Sequence, residues 1–432
     1  MFDQVWEHHQ FLIHQCFSLP GAFLFYFLTK WGYLSLTYRY VFVSVGGCVL
    51  AVVTMGIYSM LLFLPAFAFI LLVCSVDPSC IHAWAFAIQM LWQTFWHLII
   101  QYREYYLHEN VCIRLFLAVS SLMLLTQRIT SVSMDLMENR VILTLNASCK
   151  RKTLVMLLPL ISYVLNFTTL LGGPLFSYSQ FVSRIADIRL NPSPNPLCVV
   201  LLKMVHVLLL VGLRYCLIYF LRYCIYDSYK SITFYGFLWV WGLAMILRIR
   251  YYSHWKISEC LNNAAGFGFW ENLSGDCPDR NKLSDGDIWS TESSSRMSEF
   301  ARQWNATTAS WLRRLVYMRC KYFPLFMTFS FSLWWHGLHL GHFVGILTWA
   351  ATVKADYHIY RYLHPRLSSM CRKIYHFLSW INTQMIVSCI VMAVELRDMS
   401  GLRLLCTTYI GLFPLLNVIM LFLLSRLDTV HL

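Results

Sequence analysis

The sequence predicts an all-α, polytopic membrane protein, and three properties carry that prediction. Of its 432 residues, 58% are hydrophobic and only 13% are charged, about half the charged share of an ordinary soluble domain. Mean hydropathy is positive, at +0.55. The 16 Trp, 25 Tyr and 30 Phe suit a chain that meets membrane interfaces many times. A cytosolic enzyme, a nucleic-acid binder, a disordered chain and a disulfide-framed secreted module are excluded. The 15 cysteines are scattered without a C-x-x-C pair, so they form neither a zinc site nor a disulfide framework. The formal charge of +13 fits basic cytoplasmic loops and an anionic substrate.

Charge-free runs of about 20 residues mark the spans. Residues 10–29 form the first, read as a retained helix because it lacks a basic flank and a cleavage site. Residues 40–76 are too long for one span, and Gly56 and Pro65 offer breaks. Residues 78–102 are another, and 115–127 a short one extended by its flanks. Residues 153–183 contain Gly172-Gly173-Pro174, which cannot continue a regular helix. A re-entrant turn lining a cavity is expected there. Further spans are expected at 197–224, 231–247, 322–353, 374–394 and 404–425, for a total of about 11 crossings plus the re-entrant segment.

The chain is thus expected to be a single integral-membrane domain over 1–432 with a polar cytoplasmic loop at about 253–321. Within that loop, residues 304–316 are expected to lie along the surface as an amphipathic helix. Eleven Lys/Arg fall between Arg248 and Lys321 and five between Arg128 and Lys152, which puts both loops on the cytoplasmic side.

The strongest chemical signal is Ser332-Leu333-Trp334-Trp335-His336-Gly337-Leu338-His339-Leu340-Gly341-His342, inside an uncharged block. Ionisable groups at such depth are rare and functional by default, and a neutral imidazole suits general-base work. A structural histidine, a metal site and a Trp interface anchor are the rival readings. A metal fits poorly, because His336, His339 and His342 recur every three residues and drift around a continuous helix. The second signal is Trp304-Asn305, which precedes His336 by 31 residues. The Asn amide can hold a carbonyl or steady an oxyanion. Asn305-Ala306-Thr307 is also a glycosylation sequon, as are those at Asn146, Asn166 and Asn272, and these matches are expected to be chance. The third signal is the cationic set Arg302, Arg313, Arg314, Arg319 and Lys321, whose guanidiniums suit phosphate or a positive-inside loop. The runs 101–109 and 250–255 read as helix ends at an interface.

An Asn in a Trp-Asn loop, followed about 30 residues later by a His in a hydrophobic helix, resembles the membrane-bound O-acyltransferase family. Gly172-Gly173-Pro174 with Tyr178 and Phe181 looks like that family's upstream signature. The segments Glu104 to Glu109, Leu122 to Arg128, Tyr251 to Trp255, Ala264 to Gly268, Asp287 to Trp289, Trp311 to Val316 and Trp334 to His339 extend the likeness over residues 90–360. The resemblance implies an enzyme of the endoplasmic reticulum membrane. It would move a medium-chain acyl group, typically octanoyl, from coenzyme A to a serine hydroxyl of the peptide hormone precursor proghrelin, with no cofactor and no metal. Carried over, His336 is the catalytic histidine and Asn305 its partner. Arg302 and Trp304, with Arg313 and Arg314 of the cationic set, meet the acyl-CoA, and Phe329 and Trp349 line the acyl pocket. Gly-Gly-Pro also occurs in phospholipid-acylating relatives, so it does not choose the acceptor. A lysophospholipid or sterol acyltransferase is the nearest alternative, and a transporter a remote one.

Overall fold

The computed structural model describes residues 14–141, 150–188, 195–225, 233–268, 283–396 and 399–430. Among them every regular element is helical: α1 Leu19–Lys30, α2 Leu36–Met55, α3 Met60–Ser75, α4 Pro78–Gln101, α5 Ile113–Met137, α6 Lys150–Val164, α7 Tyr178–Asp187, α8 Pro196–Phe220, α9 Thr233–Ala264, α10 Ile288–Glu292, α11 Met297–Gln303, α12 Ala306–Leu312, α13 Pro324–His336, α14 Leu340–Leu363, α15 Ser369–Leu396, α16 Met399–Thr407 and α17 Leu412–Val430. Four described stretches are long and apolar enough to cross a membrane by themselves: Leu36–Ser75, Ile113–Met137, Pro196–Cys224 and Ser369–Leu396. On α8, Leu201, Leu202, Leu208 and Leu209 are 57–67% exposed. Such a surface suits contact with lipid.

The chain forms two compact units. One comprises Met1–Leu208 with His254–Asp285, the other Leu209–Ser253 with Gly286–Leu432.

In the first unit, the block 40–76 divides at Gly56 (φ 59°), where a short 3-10 turn Gly56–Ser59 separates α2 from α3. Pro65 does not break the chain as expected; it lies inside α3. Proline removes the N–H that would bond the carbonyl four residues earlier. Here that carbonyl, Leu61 O, accepts from Trp92 Nε1 of α4 at 3.1 Å. Side-chain hydrogen bonds also tie α4 to α5, through Thr126–Gln93 at 2.9 Å and His82–Ser133 at 3.0 Å. Such bonds matter where lipid offers no partner.

Arg128 lies within α5, fully buried, not in a basic loop as the charge count assumed. Its Nη1 donates to Val164 O at 2.8 Å. The predicted short span at 115–127 therefore continues through this arginine, because the α6 terminus supplies an orphan carbonyl for it.

The chain does break at Gly-Gly-Pro. α7 then starts with a reciprocal cap between Ser177 and Gln180, the S-x-x-Q form of the capping box. A Cβ on Gly172 would stand 2.5 Å from Ser258 Oγ, and one on Gly173 2.7 Å from Asp285 Oδ2. The glycines admit packed polar side chains at this turn. Tyr178 and Phe181 are core residues. Phe181 lies about 6 Å from the rings of Tyr163, Phe176 and Phe267. Asn166 is buried, and its Oδ1 accepts from Thr168 N and Oγ1, so that sequon is unusable. The sequons at Asn146 and Asn272 and the polar stretch 269–282 lie outside the described residues.

Short helices α10 to α12, in the second unit, lie within the expected polar loop, whose first residues, 253–264, belong instead to α9. Buried charge pairs hold them to long helices. Glu292 at the end of α10 accepts from Arg248 of α9 at 2.9 Å. Arg296, just before α11, pairs with Asp356 of α14 at 3.2 Å.

Candidate active site

Asn305 sits where two short helices meet. Trp304 caps the C-terminus of α11, its N–H donating to Phe300 O. Asn305 then takes the left-handed conformation, φ 47° and ψ 57°, and opens α12. Among non-glycine residues, Asn enters this region most readily. Asn at a helix N-cap usually spends its side chain on the first turn. The Asn305 side chain makes no such capping bond, which leaves a half-buried amide for another use.

His336 is the last residue of α13, and Gly337 ends the helix with φ 98°, a conformation in which glycine carries no Cβ penalty. α14 starts at Leu340. The three histidines therefore do not drift around one helix. The break turns the chain back, so that His342 stacks near His336 with ring centroids 6.1 Å apart and planes 17° apart. His339 lies 5.3 Å from His342. His336 is half-buried, while His339 and His342 are buried.

The helix that follows Asn305 docks on the helix that carries His336. Trp311 of α12 packs 5.1 Å from Trp335 and 5.9 Å from Phe331. Trp335 is thus buried in protein and not the interface anchor that the Trp pair alone suggests. The same stretch, α12 and its π-helical continuation Arg313–Tyr317, buries Trp311 and Leu315 while Arg313 faces out. Arg314 is half-buried, Arg302 is exposed, and Arg302 Nε donates to Ser298 O. The guanidiniums of Arg302 and Arg313 are thus available at the surface of the segment that carries Asn305.

The expected acyl-pocket pair is brought together, with Phe329 and Trp349 rings 6.0 Å apart. Phe300 extends this wall, 6.2 Å from Trp349 and stacked at 5.6 Å on Trp304. Tyr251 and Tyr252 also pack on Trp304, edge-on at 5.8 and 5.6 Å. The sequence pattern placed Arg250 to Trp255 at an interface-exposed helix end. They lie instead well inside α9, with Tyr252 and Arg250 buried. In the sequence Tyr251 and Tyr252 stand as part of a run that reads as a helix end, and Phe300 gives no signal, because none of the three has a chemical signature of its own.

The sequence model of the membrane-bound O-acyltransferase family matches residues 60–394. The chain belongs to that family. It is a membrane-embedded, multi-pass O-acyltransferase. Among similar proteins, Membrane-bound ghrelin O-acyltransferase MBOAT4 of Rattus norvegicus is 38% identical over 97% of this chain and 97% of the relative. The protein of that name from Mus musculus is 39% identical, with 98% of both chains covered. Membrane-bound glycerophospholipid O-acyltransferase 1 of Mus musculus is 28% identical over 89% of this chain and 82% of its own length.

Proposed function

We propose that this O-acyltransferase moves an octanoyl group from octanoyl-CoA to a serine hydroxyl of proghrelin, in the endoplasmic reticulum membrane. The observation that carries the choice of acceptor is the 38% and 39% identity, nearly end to end, to proteins named for ghrelin. Phospholipid-acylating relatives share less, and over less of the chain.

In this reading, His336 takes the proton from the serine hydroxyl as its oxygen attacks the thioester carbonyl carbon. Asn305 donates its amide N–H to the oxyanion that forms. The carbon–sulfur bond then breaks, the ester carbonyl re-forms, and the coenzyme A thiolate leaves and takes up the proton that His336 holds. The base contributes about 10²–10⁴ in rate and the amide donor about 10²–10³. Arg302, Arg313 and Arg314 meet the phosphates of coenzyme A, and Trp304 lies beside the donor. Phe329 and Trp349 line the acyl chain. Each buried CH₂ is worth about 0.8 kcal/mol, so the depth of the aromatic wall selects chain length. No cofactor enters the chemistry, because the thioester is already activated.

The test is acyl transfer by purified protein, with octanoyl-CoA offered to a proghrelin N-terminal peptide and to lysophospholipids. Peptide ester is the expected product, and it is absent in His336→Ala. Lipid acylation without peptide acylation overturns the acceptor, and near-normal turnover by His336→Ala overturns the base.

A further inference from the structure

We propose that Tyr251 and Tyr252 are positioning residues for the donor site: held by Glu395 and Glu292, they clamp the Trp304 indole and thereby set the Trp304–Asn305 turn and, through Phe300, the Trp349 wall. This rests on the reading above that Trp304, Asn305 and Trp349 face the acyl donor.

Each tyrosine is locked by a carboxylate that also binds an arginine of the same helix. The Tyr252 hydroxyl donates to Glu292 Oε1, while Arg248 Nη1 donates to Glu292 Oε2 at 2.9 Å. Arg248 and Tyr252 are four residues apart, hence on one face of α9. Gln384 of α15 joins the pair. Its Oε1 accepts from Arg248 Nη1 at 3.0 Å, and its Nε2 donates to Glu292 O at 3.0 Å. The Tyr251 hydroxyl donates to Glu395 Oε1, and Arg250 Nη2 donates to Glu395 Oε2 at 2.8 Å.

Arg248 is fully buried, and Tyr252 is 1% exposed. Buried ion pairs seldom add net stability over apolar packing, and their best-attested use is to fix a register. Here the fixed object is a pair of ring planes. They meet Trp304 at 72° and 66°, and Phe300 stacks on it at 16°. The indole is thus bounded by three rings, two of them anchored through their hydroxyls, and the next residue is Asn305 in its left-handed turn. A buried tyrosine hydroxyl needs some hydrogen-bond partner; here each partner is a carboxylate that is itself held by an arginine, which fixes the ring more firmly than a lone carbonyl would. A small displacement of the turn is costly, because reacting groups misplaced by about 1 Å lose up to about 10²-fold in rate.

The experiment measures kcat and KM for acyl-CoAs of increasing chain length with Tyr251→Leu, Tyr252→Leu, Tyr252→Phe and Phe300→Leu, alongside melting temperature in detergent. The Leu variants are expected to lose about tenfold or more in kcat/KM for octanoyl-CoA and to discriminate chain lengths less sharply. Tyr252→Phe, which keeps the ring but frees it from Glu292, is expected to fall between them and the parent. Phe300→Leu is expected to shift preference toward longer chains, and its result stands even if a tyrosine variant fails to fold. Folded tyrosine variants with parental kcat/KM and an unchanged chain-length profile overturn the proposal, and an equal loss for every donor overturns its Trp349 arm. If Trp304→Ala and Asn305→Ala leave donor kinetics unchanged, the donor-site reading fails and the clamp falls with it. If wild-type protein acylates lipid instead of peptide, only the acceptor fails, and the chain-length profiles still decide the clamp.

Discussion

Asn305 combines two properties that substitution can separate. Its backbone is left-handed, and its amide is not spent on the helix it starts. Glycine adopts that backbone at little cost but has no amide. Aspartate also tolerates it and keeps the shape, but offers no N–H. Both Asn305→Gly and Asn305→Asp are therefore expected to keep the melting temperature near that of the parent and to lose about 10²–10³ in single-turnover acyl transfer. A glycine variant with parental turnover would mean that the turn, and not the amide, is what the site requires. His336 stands out in the sequence as an ionisable group in an apolar block, but its setting at a helix end does not. Gly337, directly after it, is the usual mark of a helix end, and it was outweighed by the uncharged run on either side. With that single glycine, three histidines on a drifting face become a cluster around a break, in which His336 and His342 stack.

At the scale of elements, hydrophobic blocks translate into helices where nothing interrupts them, as with α4 over Pro78–Gln101 and α8 over Pro196–Phe220. The misplaced boundaries share one cause: a distant group supplies what the local sequence lacks. Pro65 stays inside α3 because Trp92 donates to the carbonyl that proline leaves unpaired. Arg128 stays inside α5 because Val164 O receives it. Arg248 and Arg250 stay inside α9 because Glu292 and Glu395 pair with them. These partners lie 31 to 145 residues away, beyond the reach of any periodicity. The Pro65 case gives a coupled prediction. Trp92→Phe leaves a buried carbonyl unsatisfied, at a cost of about 1–3 kcal/mol. Pro65→Ala restores the backbone N–H for the same carbonyl. The cost of Trp92→Phe is thus expected to shrink by at least half in the Pro65→Ala background, read from melting temperatures of the four proteins in one detergent. Equal costs in both backgrounds would show that the indole contributes packing and not this hydrogen bond.

The whole molecule carries a formal charge of +13, and the charges divide into two kinds. Arg128 and Arg248 are fully buried and committed to Val164 O and Glu292, so they contribute little to the field that a solute meets. Arg302, Arg313, Arg319 and Lys321 face outward on or just beyond the segment that holds Asn305. Composition alone reads out the excess but not this partition. An anionic donor drawn in by exposed arginines feels their field through the solvent. That field is screened over about 10 Å at 0.1 M salt and about 3 Å at 1 M. Raising salt from about 0.05 to 0.5 M is therefore expected to increase KM for octanoyl-CoA severalfold while leaving kcat at saturating donor unchanged, because the salt acts on encounter and phosphate contact and not on the acyl step. Arg302→Gln and Arg313→Gln are expected to flatten that dependence without altering which acyl chain is preferred, since neither residue belongs to the aromatic wall. A donor KM indifferent to salt in the parent protein would assign the exposed arginines to lipid headgroups and leave recognition of coenzyme A to other residues.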